Sequence, residues 1–418
     1  MTKTSRFKLS SVFLLGSQPS FINDDGLGFV SVNESSEQHA QIEKILDSLD
    51  VETTPPLIVR NERDLANLDV NVDAFLLFVH CIKRFPSLIA LATTGKRIIL
   101  TSEEGAAGHI LDAYEYLSEY ENVTYALTFP EVRRKIRVLK AVKHIKATKV
   151  GVFDAGKRSL KEIVWHKNPL LTDKFDTTYI NIQDFKRRYQ NVDETKAKNL
   201  AKAWMSEAEV REPTLEDVTQ SARVYLAMKH TIEKMGIDVA YVLWCSQFNS
   251  MLGTKMCFAI SKLNDVGLLT GCWRGGNLLP MLVLNTVAKK PVFFGEVHMY
   301  EEGIISLRHC AVPQTVADCQ YVLRRWRDRE GTVTGYCNLP EGEVTIVNAG
   351  QGDTAVVMQG TVIDSRDLGG ENCRTTVWIE LEDKTLVPAL IGREFAMVYG
   401  SYKAEAKDVV TQLGIKVK

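Results

Sequence analysis

Short apolar runs alternate with amphipathic stretches through the first third of the chain. "SVFLLGS", "DAFLLFVHC" and "RIILTSEEG" are continuous apolar segments that end in small or polar residues, the pattern of strands buried on both faces of a parallel sheet. Between them, "EQHAQIEKILDSLD" and "GAAGHILDAYEYLSEY" place apolar residues three and four apart and predict helices. The basic segment Pro130 to Ala147 reads as a connecting helix with a solvated cationic face. "KVGVFDAG" starts a second α/β unit, to which "TTYINIQDFKRRY" adds a strand, "LEDVTQSARVYLAMKHTIEKMG" a long helix and "DVAYVLWCSQ" another strand.

The period changes after about Lys290. "KPVFFGEVHMYEEGIISLRHCAVPQ" predicts a hairpin turning through "YEEGI", and "GEVTIVNAG", "DTAVVMQGTVIDS" and "CRTTVWIEL" follow as closely spaced strands. The fold class expected is α/β: two Rossmann-like open-sheet domains followed by a β-rich, barrel-like C-terminal domain. The boundaries fall at residues 1–147, 148–288 and 289–418.

Length agrees with that division, since 418 residues exceed what one ordinary core organises. The formal net charge of -1, with lysine and arginine spread along the chain, argues against nucleic acid as a partner. No apolar run approaches the roughly 18 residues of a membrane span. Eight scattered cysteines without a C-x-x-C spacing support neither a zinc ribbon nor a disulfide framework. They read as buried free thiols in a reducing, cytoplasmic compartment. "DAG" after the strand at Lys149 lacks the further glycines of a phosphate fingerprint, and no nucleotide cofactor is expected.

Ligands in open α/β sheets bind outside the carboxyl ends of the strands. Polar residues stand at such ends in "HCIKR", "CSQFN" and "GCWRGGN". In the last of these, Gly275 and Gly276 permit positive φ and close backbone approach, and Asn277 is a candidate N-cap for the helix that follows. Arg274 beside a helix N-terminus suits an anionic ligand group; the alternative is packing for Trp273 and a surface role for Arg274. Trp273, Arg274, Asn277 and Arg374 are the substrate-binding candidates. On the hairpin, Glu296 and His298 stand two apart, which puts both on one face, and His309 can reach the Glu296 level. A carboxylate and an imidazole on one face bind a divalent cation or exchange protons. Glu296 and His309 are thus the catalytic candidates, and a half-buried structural histidine is the plain alternative.

The series "LNDVGLLTGC…GN…MLVL…KPVFFGEV…ISLRHCAVP", with the tail "FAMVYGSYKAEAKDVVTQLGIKV", resembles the L-fucose isomerase and L-arabinose isomerase superfamily, particularly its short members. The likeness runs from about Lys149 to the C-terminus. It implies aldose–ketose isomerisation through an enediol, manganese or another divalent ion, a small carbohydrate or sugar-acid substrate, and a homo-oligomer, usually a hexamer. Short members carry Glu-x-Asp after the Cys272 position, where this chain has Trp273, Arg274 and Gly275. Glu296 and His309 match family ligand positions. A further family histidine is replaced by Glu394, or by Arg393 with a one-residue slip, so Glu296, His309 and Glu394 form the metal-ligand set that the resemblance leaves. Three readings remain: an isomerase-like enzyme with an altered metal site and a charged sugar substrate, a non-catalytic sugar-binding or regulatory descendant, and a metal-free enzyme of another class on the same scaffold.

Overall fold

The computed structural model describes residues 6–14, 46–47, 51–79, 85–102, 107–154, 175–243, 245–273, 276–316, 320–349, 354–390 and 392–418. The helix expected at "EQHAQIEKILDSLD" lies almost wholly outside them. The chain divides into two compact units, Thr4–Lys140 and Ala141–Lys418, and the boundary falls inside one helix.

The first unit is built on β1 (Lys8–Leu14), β2 (Glu52–Thr53), β3 (Leu57–Val59), β4 (Ala74–Val79), β5 (Arg97–Thr101) and β6 (Val123–Tyr125). All pairings are parallel, in the order β2-β1-β4-β5-β6 with β3 also on β1. Helices α1 (Phe85–Ala92), α2 (Ala107–Tyr116) and α3 (Phe129–Ala147) connect or follow these strands. Side chains alternate across the sheet into two cores. Val12, Phe75, Leu77, Ile98 and Leu100 belong to one; Leu9, Phe13, Leu76, Phe78 and Ile99 belong to the other. Burial on both faces is why these strands are apolar at every position rather than at alternate ones.

The second unit opens with β7 (Lys149–Asp154), β8 (Asp176–Ile180), α4 (Ile182–Gln190), α5 (Glu194–Ser206), β9 (Glu209–Val210) and α6 (Leu215–Met235). A capping box of Thr214 with Asp217 starts α6, and Gly236 in the left-handed region ends it. Then come β10 (Val239–Leu243), α7 (Cys245–Leu252), α8 (Cys257–Asp265), β11 (Thr270–Trp273) and α9 (Leu278–Ala288). Strands β11-β10-β7-β8 form a second parallel sheet.

The remaining strands are β12 (Phe293–Glu301), β13 (Ile304–His309), β14 (Val322–Arg324), β15 (Thr334–Tyr336), β16 (Gly342–Ala349), β17 (Thr354–Arg366), β18 (Thr375–Leu381), β19 (Glu394–Tyr399) and, after α10 (Lys403–Gln412), β20 (Lys416–Val417). The order β16-β19-β12-β13-β18-β17, with β17 pairing back to β16, closes a six-stranded antiparallel barrel. The expected hairpin is β12–β13, turning at Glu302 and Gly303, both with positive φ as a short twisted turn requires.

The fold is therefore α/β with two parallel sheets and a barrel, as the hydrophobic pattern indicates. The expected second and third domains, residues 148–288 and 289–418, fall within one compact unit. Helix α9, which leaves the parallel sheet, packs on barrel strands β16 and β19, while β9 pairs with β14. A shared helix and a shared small sheet join the two segments.

Barrel closure gives a direct test. A Cβ added at Gly360 on β17 would meet the Glu380 carbonyl oxygen at 2.6 Å and Ile379 Cγ2 at 2.9 Å, whereas one added at Gly108 in α2 meets nothing within 4 Å. Gly360→Ala is expected to lower stability in urea unfolding by about 2 kcal/mol. Gly108→Ala, in an open helical position, is expected to be neutral or to gain up to about 1 kcal/mol.

Candidate functional site

The turn after β11 is held from beneath. The Tyr241 hydroxyl on β10 lies 2.7 Å from the Cys272 carbonyl and 2.9 Å from Asn277 Oδ1, and Asn277 Nδ2 donates to the Cys272 carbonyl at 3.3 Å. Asn277 stands at the N-cap of α9 as expected but makes no side-chain capping bond: its amide is spent on the strand it follows. Gly276 donates its N–H to Glu394 Oε2 at 2.7 Å, and a Cβ at Gly276 would sit 2.6 Å from that oxygen. Glycine is needed there for close approach, not for positive φ. The Trp273 backbone ends β11, while its side chain, and Arg274 and Gly275 entirely, lie outside the described residues. "HCIKR" lies outside them as well.

The hairpin register separates the two catalytic candidates. Glu296 stands opposite Arg308 on β13 and opposite Glu394 on β19. A register shift between Val297 and Met299 interrupts the alternation at His298, so the expected shared face of Glu296 and His298 does not follow, and His298 is exposed. Glu296 is ion-paired with Arg393. His309 is buried; its Nδ1 accepts the Ala311 N–H at 2.9 Å, its Nε2 lies 3.7 Å from Cys272 Sγ, and its ring packs 4.5 Å from that of Phe294. An accepting Nδ1 puts the neutral ring's proton on Nε2, facing sulfur. Burial lowers its pKa to about 4.

A divalent ion needs donors converging on one point. Glu296 is on Arg393, Glu394 Oε2 is on a backbone N–H, and the free lone pair of His309 is on another. Among the described residues no three His, Cys, Asp or Glu side chains are placed to hold a metal. The set Glu296, His309 and Glu394 does not fit a manganese ion in this arrangement.

Arg374 has no solvent exposure. Its Nε and Nη2 donate to the Arg325 carbonyl at 3.0 and 2.9 Å, Nη2 also reaches Asp328, and Nη1 lies 3.6 Å from Asp367. It faces inward and clamps the turn after β14 rather than opening toward a substrate. Arg324 ties the same turn down through Glu212 at 2.7 Å and Asp367 at 2.8 Å. Burial raises the Glu212 pKa, but hydrogen bonds from Arg324 and the Arg325 N–H outweigh it and the net shift is downward.

The clamped turn carries features that the sequence reading passed over. Arg327 and Asp328 both have positive φ, 49° and 55°, at an expected cost of about 1–3 kcal/mol each. Trp326 between them and Arg325 is ringed by cations: Lys255 Nζ at 3.9 Å from the ring centroid, and the Arg327 and Arg329 guanidinium carbons at 4.7 and 5.1 Å. Lys255 is only 3% exposed, though its ammonium is not wholly shut off from solvent, and the contact the structure describes for it is the face of the Trp326 ring. The available signal was "RRWRDR", four arginines around a tryptophan after a short strand.

A second gathering was also missed because its members are far apart in sequence. Five free thiols, Cys245, Cys257, Cys272, Cys310 and Cys373, interact with one another, and Cys272 among them touches His309. The Cys245 hydrogen bond and burial push the Cys272 thiol well up, and Cys310 is raised chiefly by its contact with Cys257. Cys337, by contrast, is disulfide-bonded, which corrects the expectation of free thiols throughout.

Among the described residues, no helix is long and apolar enough to cross a membrane. No family model and no curated protein matches the chain.

His309 sets a pH window. The unfolded chain takes up this proton near pH 6.5, while the folded protein resists until about 4. The unfolded state thus binds more protons between these values, and stability falls on acidification through that window by about 3 kcal/mol. Urea unfolding of the wild type at stepped pH should show this loss, and His309→Gln should show a shallower one. Equal pH slopes would refute the buried neutral imidazole.

Proposed function

We propose that the chain is a carbohydrate-active enzyme of the aldose–ketose isomerase kind, acting on a small sugar that carries a carboxylate, phosphate or sulfonate. The observation that carries this reading is the gathering of cations on one aromatic face, with the mostly buried Lys255 and Arg327 both over the Trp326 ring. The Trp326 face offsets only part of the charge of these cations, and an anionic ligand supplies a full counter-charge. The aromatic face between the cations suits the apolar face of a sugar ring.

The scaffold supports the same reading. The parallel sheet of Rossmann-like type leads through α9 onto the barrel, the order that the isomerase resemblance implies. Glu296 lies within electrostatic reach of Cys373, as does Arg327, so carboxylate and cation belong to one neighbourhood. Glu296 is the candidate base that moves a proton between adjacent carbons, and His309, buried with Nε2 on Cys272, has a positioning role at the end of β13. Neither role needs the divalent ion. The partner is a small molecule, and the assembly is a homo-oligomer.

A thermal-shift screen separates the readings. Sugar acids and sugar phosphates are expected to raise the melting temperature where their neutral parents do not. Lys255→Met should weaken that binding roughly 10- to 100-fold, the worth of a charged contact. Undiminished binding by Lys255→Met would sink the anion assignment. Glu296→Gln is expected to keep the shift and lose turnover; turnover at the wild-type rate would remove Glu296 as the base. A wild type that binds but turns over no bound sugar would favour the non-catalytic descendant.

A further inference from the structure

The five thiols are not equivalent. Cys310 directly follows β13, and Cys373 stands two residues before β18, its neighbour in the barrel, where His309 is opposite Thr375. Cys310 Sγ donates to Cys373 Sγ across 3.3 Å. Cys310 is buried, and Cys373 is half-buried. A half-buried thiol in contact with a fully buried one can serve as attacking and resolving cysteine. Closing a disulfide requires the sulfurs to approach to about 2.05 Å, a movement on the scale of a side-chain rotation. The disulfide at Cys337 shows that the fold already accommodates one such bond.

We propose that Cys310 and Cys373 form a reversible dithiol–disulfide pair that exchanges with a small-molecule disulfide such as oxidised glutathione. Cys373, as thiolate, attacks one sulfur of the small disulfide; that S–S bond breaks, and the departing thiolate takes up the proton that Cys373 released. Cys310, after giving up its own proton, attacks Cys373 Sγ and expels the second small thiol. Two protein thiols are oxidised by two electrons, and one disulfide is reduced to two thiols.

The neighbours of the pair say what the bond would alter. Cys373 adjoins Arg374, the clamp on the turn that carries Trp326, and Cys310 adjoins His309. Cys310, burial and Glu296 push the Cys373 thiol up, while Arg327 opposes them; Cys310 faces Cys257, Cys373 and Cys245 and is also raised. Both are thiols at neutral pH, so exchange should speed up about tenfold per pH unit as the thiolate fraction grows. This chemistry does not depend on the sugar assignment, and its readout is not turnover.

The test is peptide mapping of the full-length protein after treatment with oxidised glutathione and alkylation, with and without later reduction. The expected product is a Cys310–Cys373 cross-linked peptide that dithiothreitol reverses, formed faster at pH 8 than at pH 7. Cys310→Ser should trap glutathione on Cys373, and Cys373→Ser should leave Cys310 unmodified. Wild-type protein in which both cysteines still alkylate, or in which a mixed disulfide on Cys373 persists, would overturn the proposal. So would protection of the pair by a thiophilic metal ion released with chelator.

Discussion

A guanidinium with no contact to solvent must find its counter-charges in the protein, and Arg374 finds them in Asp328, on the turn after β14, and Asp367, just after β17. The Arg325 carbonyl, Asp328 and Asp367 converge on it from outside the strand that it precedes. Removing one partner from a buried pair of this kind typically costs about 3–5 kcal/mol, because the other charge remains buried. That penalty makes the turn and the start of β18 one body. It also compensates for two successive non-glycine residues in the left-handed region. Trp326 is held beside Lys255 because Arg374 holds the residues on either side of it.

Barrel and parallel sheet cooperate in the same region. Closure of β16 on β17 leaves no free edge among the six strands, which fixes where β12, β13, β18 and β19 begin and end. The parallel sheet brings Cys272 at the end of β11 to within 3.7 Å of His309 at the end of β13. Gly276 and Glu394 make a second stitch between the β11–α9 turn and β19. A thiol, an imidazole and a carboxylate therefore meet where strand ends from two differently built sheets come together.

Strands and helices were legible because their cause is local. "DAFLLFVHC" is apolar throughout since both faces of β4 are covered, and the hairpin announced itself by alternation around "EEG". The barrel was legible as closely spaced strands, though its closure, β17 returning to β16, depends on register. The site was less readable. Glu296 and His309 were found by residue type, but a bulge at His298 and pairing with Arg308 decide their geometry. Arg374 is among the substrate-binding candidates of the sequence, and only its depth shows that it faces inward. Lys255 gave no signal, because nothing in "GTKMC" says that the lysine is buried. The five thiols come from positions 245 to 373, and only tertiary contact unites them.

The central claim is that the clamped turn presents an anion site at Lys255. Crystals soaked in selenate test it most directly, through the anomalous signal of the ion. The account predicts a peak in hydrogen-bonding reach of both Lys255 Nζ and the Arg327 guanidinium, with the Arg374 contacts unchanged. A map with no peak there, in which Lys255 is paired with a protein carboxylate, would contradict it.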